Sequence, residues 1–87
     1  MRVLVISPEA SSFDGDAASV VVPVYDGEVG IWPHHAPFMA PLGRGVLRIR
    51  TPEGAVRRLR IEGGFLQVAD DTVRVVAERV SGDADAA

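Results

Sequence analysis

Eighty-seven residues suffice for one domain with a modest core, and 47% hydrophobic with 24% charged residues is the balance of a globular rather than a disordered chain. The absence of cysteine excludes disulfide staples and thiolate metal sites, and a net charge of −3 gives no argument for nucleic-acid or membrane binding from the total alone. No apolar run approaches the roughly 18 residues that a spanning helix needs. Arg2 precedes only four apolar residues, too few for a signal-peptide core, so a soluble, non-exported chain is expected.

In chain order, Arg2 to Ser7 reads as a first strand closed by Pro8, its unbroken apolar run implying cover on both faces. Residues 8–16 read as a connection from which Phe13 folds back onto the core. Ala18 to Pro23, with three consecutive valines, is a second strand. Asp26-Gly27 is a turn, and Glu28 to Trp32 a short strand that Pro33 ends by lacking an N–H. Phe38 to Leu42 can pair only at an edge or a bulge, because Pro41 lies within it. Gly43-Arg44-Gly45 is a tight connection. Thr51-Pro52-Glu53-Gly54, flanked by Gly45 to Thr51 and Ala55 to Ile61, has the proline and glycine positions of a type I turn and marks the clearest hairpin. Leu47 and Ile49 alternate there with Arg48 and Arg50, one face buried and one solvated. Gly63-Gly64 makes a bend, Phe65 to Ala69 and Thr72 to Ala77 are two further strands around Asp70-Asp71, and residues 81–87 form a short acidic tail after a domain of residues 1–80. No segment holds a helical period. About eight to ten short strands predict an all-β flattened sandwich or barrel of two mostly antiparallel sheets.

Function is expected in the stretch from Asp26 to Pro37, which gathers glycines, prolines, both histidines and the only tryptophan into a stiff, non-helical segment. A metal site built from His34, His35, Asp26 and Glu28 is a poor fit, since adjacent residues of an extended segment point to opposite faces. One histidine packed locally and the other exposed is the simpler reading. No serine sits in a nucleophile elbow and no glycine loop precedes a helix, so neither an enzyme nor a bound cofactor is indicated. The rival is a nucleic-acid-binding β-barrel that uses Arg48, Arg50, Arg58 and Arg60 as a cationic face. Against it, the hairpin carries no stacking aromatic, and nearby glutamates can neutralise the charge. Arginines directly opposite one another would cost stability, so staggered registers or glutamate partners are expected. Trp32 suits either a core position or an exposed interface anchor.

Asp26-Gly27-Glu28-Val29-Gly30-Ile31, then Pro33, His35-Ala36-Pro37, Leu42, Gly45 and Ile49, resembles the N-terminal β-sandwich of the F-type ATP synthase ε subunit (δ in mitochondria). Gly63-Gly64-Phe65-Leu66-Gln67-Val68 and Val73-Arg74-Val75-Val76-Ala77-Glu78 are similar to two later strands of that family, and together the matches run from about Val3 to Arg79. The resemblance implies a non-catalytic rotor subunit of the central stalk, at the cytoplasmic face of the bacterial plasma membrane. It would bind the γ subunit and the c ring, and act on the α/β head only indirectly. It further implies a c-ring interface of Asp26, Glu28, Ile31, Trp32, His34 and His35, and a γ interface of Phe38, Met39 and Leu42. Two departures are visible: His34 stands where the family commonly has Gly or Asn, and Met39-Ala40-Pro41 replaces a hydrophobic-Thr-Ala run. Relatives continue into a helical hairpin that can inhibit hydrolysis; no such segment follows here, so that mechanism is not expected.

Overall fold

A computed structural model describes residues 1–8 and 11–83, and every regular element among them is a β-strand. The strands are β1 (Arg2–Ile6), β2 (Ser11–Asp16), β3 (Ser19–Val24), β4 (Gly27–Ile31), β5 (Phe38–Pro41), β6 (Arg44–Arg50), β7 (Val56–Ala69) and β8 (Thr72–Asp83). They hydrogen-bond in the order β2-β1-β8-β7-β6-β3-β4, with β5 pairing β7 beside this path. Every pair is antiparallel except β1 with β8.

Two long strands turn this one path into two layers. The first half of β7 pairs β6 from Val56 to Glu62, and its second half pairs β5 from Phe65 to Val68. One strand thus serves both layers, and β8 follows it from Leu59 to Ala69. The upper layer is β2-β1-β8-β7-β5 and the lower layer is β4-β3-β6-β7-β8. Between them lies a single core in which Val3, Val5, Val20, Val22, Ile31, Leu47, Ile49, Leu66, Val73 and Val75 are almost wholly buried. Each such side chain contributes about 1.5–3 kcal/mol, whereas an exposed ion pair contributes about 0–1 kcal/mol. The core therefore dominates stability, and surface charges do little to hold the layers together.

The bend lies at Gly63 and Gly64, with φ of 68° and 108°, a region that L side chains rarely adopt. A β-carbon at Gly64 would overlap the carbonyl oxygen of Val76 and lie 2.9 Å from the Cα of Ala77. At the same corner Leu42 N–H donates to the Gly64 carbonyl at 2.9 Å and Gly63 N–H to the Gly43 carbonyl at 3.2 Å. The connection between β5 and β6 is thereby tied to the bend itself.

Several elements differ from expectation. Residues 11–16 are not a loop but β2, because the backbone of this polar segment completes the free edge of β1 and Asp14 accepts two hydrogen bonds from Arg2, at 3.2 and 3.1 Å. Phe13 does pack against the core, with the Arg57 guanidinium 5.8 Å from its ring centre. β1 is covered on one face only: Val3 and Val5 are buried, while Leu4 and Ile6 are part-exposed on the outside. The bend does not interrupt β7, and β8 runs on through Asp83. Residues 84–87 of the expected tail lie outside the described residues. The turn at Thr51 to Gly54 forms as expected, Gly54 N–H donating to the Thr51 carbonyl at 2.9 Å.

Gly64→Ala should destabilise the fold by about 3 kcal/mol or more, lowering Tm by roughly 15 °C or more for a chain of this size. Gly54→Ala, with positive φ but open space around it, should cost less. Thermal denaturation of the two variants tests this, and equal losses would refute the steric account of the corner.

Candidate functional site

The stretch expected to carry function runs along one side of the sandwich. β4 is the edge strand of the lower layer, and residues 32–37 carry the chain from its end to β5, the edge strand of the upper layer. At about 3.4 Å per strand residue, Asp26 and Trp32 stand roughly 20 Å apart. The six residues expected at the c-ring interface are therefore strung along an edge, not clustered.

Alternation sorts them. Val29 and Ile31 point inward, and Ile31 is fully buried in the core, so it supports the edge instead of presenting itself. Glu28 and Trp32 point outward. Glu28 lies 3.4 Å from the Arg48 guanidinium, both side chains about half exposed. Trp32 folds back over Gly30, so closely that a β-carbon there would sit 2.6 Å from its Cζ3 atom, yet the ring remains 60% exposed. Tyr25, in the preceding turn, is 70% exposed, and its N–H donates to the Pro41 carbonyl at 3.1 Å. Two large aromatic side chains are thus held on the outside near opposite ends of one short strand.

The histidine turn is fixed by Asp71. His34 takes φ of 65°, the left-handed conformation that explains why glycine or asparagine suits this position. Its N–H donates to the Asp71 carboxylate at 2.9 Å, across 37 residues of sequence. That hydrogen bond, more than the neighbouring N-terminal amine at 3.8 Å, holds the Asp71 carboxyl below the usual carboxylate range. The amine itself pairs with Asp16 at 3.0 Å. His35 Nδ1 donates to the Ala36 carbonyl at 2.8 Å, and its ring leans on Phe38 with centres 5.1 Å apart. His35 makes these local contacts but is exposed, as is His34, so the simpler reading of the pair holds only in part. Among the described residues no group of three or more His, Asp or Glu is placed to hold a metal ion.

Of the residues expected to face γ, only Met39 is exposed, at 65%; Phe38 packs partly against the core, and Leu42 belongs to the core with 6% exposure. A larger apolar surface lies beside Met39. Ile6 pairs Val76, Val76 pairs Phe65, and Phe65 pairs Pro41, so one row crosses four strands on the outside of the upper layer. Phe65 is 57% and Val76 49% exposed. Ile6, Val76 and Phe65 of this row line an open apolar depression of about 410 Å³, which Pro8 also lines. The signal for it was present in part: Ile6 lies next to Val5, Val76 next to Val75 and Phe65 next to Leu66, each a core residue of its own strand, hence on the opposite face.

The four arginines of the hairpin share the outer face of the lower layer. Arg48 stands directly opposite Arg58, so the register is not staggered, and Glu28 supplies the carboxylate. No helix among the described residues is long and apolar enough to cross a membrane.

Comparison with known proteins gives a consistent picture. Residues 1–82 match the family described as the ATP synthase Delta/Epsilon chain β-sandwich domain. Over 78 residues the chain is 45% identical to the ATP synthase epsilon chain of Leptospira borgpetersenii, covering 90% of this chain and 61% of that one. Over 79 residues it is 43% identical to ATP synthase epsilon chain 2 of Burkholderia orbicola, covering 90% and 52%. The chain thus spans little more than half the length of these relatives. Among solved structures, a chain of the Euglena gracilis mitochondrial ATP synthase OSCP/F1/c-ring assembly superposes with a TM-score of 0.84 at 20% identity, covering 91% of this chain and 51% of that chain. A chain of the Tetrahymena thermophila central stalk/c-ring assembly gives 0.77 at 16% identity, covering 93% and 65%. These two likenesses establish a shared fold.

Because the native hydrogen bond lowers the Asp71 pKa, its contribution to stability is complete above the ordinary carboxylate range and is lost as pH falls through it. The His34 amide resonance should titrate with a midpoint below that of an ordinary aspartate, and Asp71→Asn should abolish the titration while tolerating the φ of 55°. A midpoint at the ordinary value would contradict the assigned contact.

Proposed function

This chain belongs to the ATP synthase delta/epsilon β-sandwich family, and we propose that it serves as a non-catalytic central-stalk subunit gripping two partners through two chemically different surfaces. The first partner is the γ subunit, held by the apolar row of Ile6, Val76, Phe65 and Pro41 together with Met39. The second is the c ring, met by the outward residues of the β4 edge and its flanking turns.

The observation that carries the reading is the apolar row. A small domain that leaves Phe65, Val76 and Met39 about half exposed or more on one outer face has placed apolar surface where only a partner can remove it from water. Phe65 is fixed on the strand at the sandwich corner, so ordering it on binding costs little entropy, as suits an interface anchor. The β4 edge differs in kind. Asp26 and Glu28 supply negative charge for basic loops, Tyr25 and Trp32 supply amphipathic contact area, and His34 and His35 extend the surface beyond the strand end. Arg48 competes for Glu28, so a c-ring arginine would exchange with it instead of meeting a free carboxylate. Phe38, Leu42 and Ile31 act from beneath by fixing the backbone of both surfaces.

A rigid body is what this role requires. Transmitting torque demands that the two surfaces keep their relation under load, and a single packed core joined at the Gly63–Gly64 corner gives that relation without catalytic groups. Seated in the complex, the domain would lie peripherally at the cytoplasmic face of the bacterial membrane.

Capture of this chain from solubilised membranes of its source organism tests the reading. Phe65→Asp should lower recovery of γ by about tenfold or more, while Trp32→Ala with Glu28→Ala should weaken c-ring recovery and leave γ bound. Undiminished γ recovery with Phe65→Asp would refute the assignment of the apolar row.

A further inference from the structure

Residues 32–37, which carry the chain from β4 to β5, are all exposed, so burial of side chains cannot hold them in one shape. At the middle of this segment His34 takes φ of 65°, a conformation disfavoured for a residue with a β-carbon. Pro33 and Pro37 fix their own φ and restrict the residues before them, but neither sets the φ of His34. The bond between His35 Nδ1 and the Ala36 carbonyl is internal to the segment, and the His35 ring touches only the start of β5, at Phe38. Among the described residues, the hydrogen bond outside the strand ladders that ties the segment to another element runs from His34 N–H to Asp71 Oδ1, at 2.9 Å.

The acceptor is itself held in place. Ala69 pairs Thr72, so Asp70 and Asp71 form a two-residue hairpin turn, with φ of 53° and 55°. The Asp71 carbonyl accepts from Arg2 N–H at 3.1 Å, and Thr72 Oγ1 donates to the Asp70 carbonyl at 3.3 Å. The carboxylate thus projects from a turn fixed to both β1 and β8. Glycine suits the second position of such a turn best. An aspartate there gives up that backbone ease and supplies an acceptor instead. The lowered pKa of Asp71, caused first by the His34 N–H, keeps that acceptor charged and agrees with the geometry.

We propose that Asp71 is the positioning residue of the partner-facing turn: by accepting the His34 N–H it holds residues 32–37 in the shape that presents Trp32, His34 and His35 to the c ring. This role rests on the c-ring reading of the β4 edge. Asp71 need not touch the partner. A turn that samples several shapes binds more weakly in proportion to the fraction in the competent one. The effect therefore falls on the c ring and spares γ, whose apolar row lies on the outer face of the upper layer.

Asp71→Gly is the variant that tests this, because glycine keeps the hairpin turn and removes the acceptor. In the 87-residue chain in solution, hydrogen exchange at the His34 amide should quicken about tenfold, with Tm unchanged or higher. Asp71→Asn, which keeps a side-chain oxygen, should retain most of the protection. In capture from solubilised membranes, Asp71→Gly should lower c-ring recovery about fivefold with γ recovery unchanged, and Asp71→Asn should recover c-ring subunits nearly as the wild type does. Wild-type exchange at His34 in Asp71→Gly would overturn the contact whatever the partner, and an equal loss of γ and c subunits would reduce Asp71 to a merely structural residue. Undiminished c-ring recovery with Asp71→Gly, beside a loss with Trp32→Ala and Glu28→Ala, would overturn the positioning role and leave the c-ring reading standing. No loss with any of these variants would overturn both.

Discussion

The structure depends on one constraint: β7 and β8 must bend together without parting. A flat pair of that length would extend the sheet and leave both apolar faces wet. Positive φ at Gly63 and Gly64 turns the pair through a corner where no β-carbon fits between Gly64 and the Val76 carbonyl. The same ribbon then contributes Leu59 and Ile61 to one side of the core and Leu66, Val68, Val73 and Val75 to the other. Hydrogen bonds from Leu42 and Gly63 close the corner around the β5–β6 connection, so the two edges of the sandwich cannot slide independently.

That corner also arranges the outside. The alternation of β7 changes phase at Gly63-Gly64, so Arg60 points outward on the lower layer and Phe65 outward on the upper, five residues apart yet on faces of opposite character. Apolar surface gathers on one outer face, arginines on the other, and the aromatic and acidic β4 edge lies along the side. Such segregation costs solubility on the first face and self-repulsion on the second. A molecule working alone gains nothing from the first, whereas a partner seated on the apolar face would relieve it.

Much of this was legible in the residues. The Asp26-to-Pro37 motif identified the family, the Thr51-to-Gly54 turn fixed the hairpin, and Gly63-Gly64 marked the bend. What escaped did so for physical reasons. Ser11 to Asp16 has little strand propensity and is a strand only because β1 offers it an unpaired edge, which is tertiary information. In Arg2 to Ile6 an unbroken apolar run cannot distinguish a strand buried on both faces from one whose outer face awaits a partner. Ile31 and Leu42 were expected at the two interfaces but point inward, because proximity along the chain says nothing about which face a side chain takes. The His34 conformation could not be read from histidine itself; it follows from Asp71, 37 residues away.

On the proposed reading, two surfaces of one rigid domain meet two different partners. Photo-crosslinking within the intact membrane complex tests it most directly, with a photoreactive residue replacing Phe65 in one sample and Trp32 in another. Position 65 should label γ and position 32 the c subunit, each without the other. Labelling of one common partner from both positions, or of neither γ nor c from position 65, would contradict it.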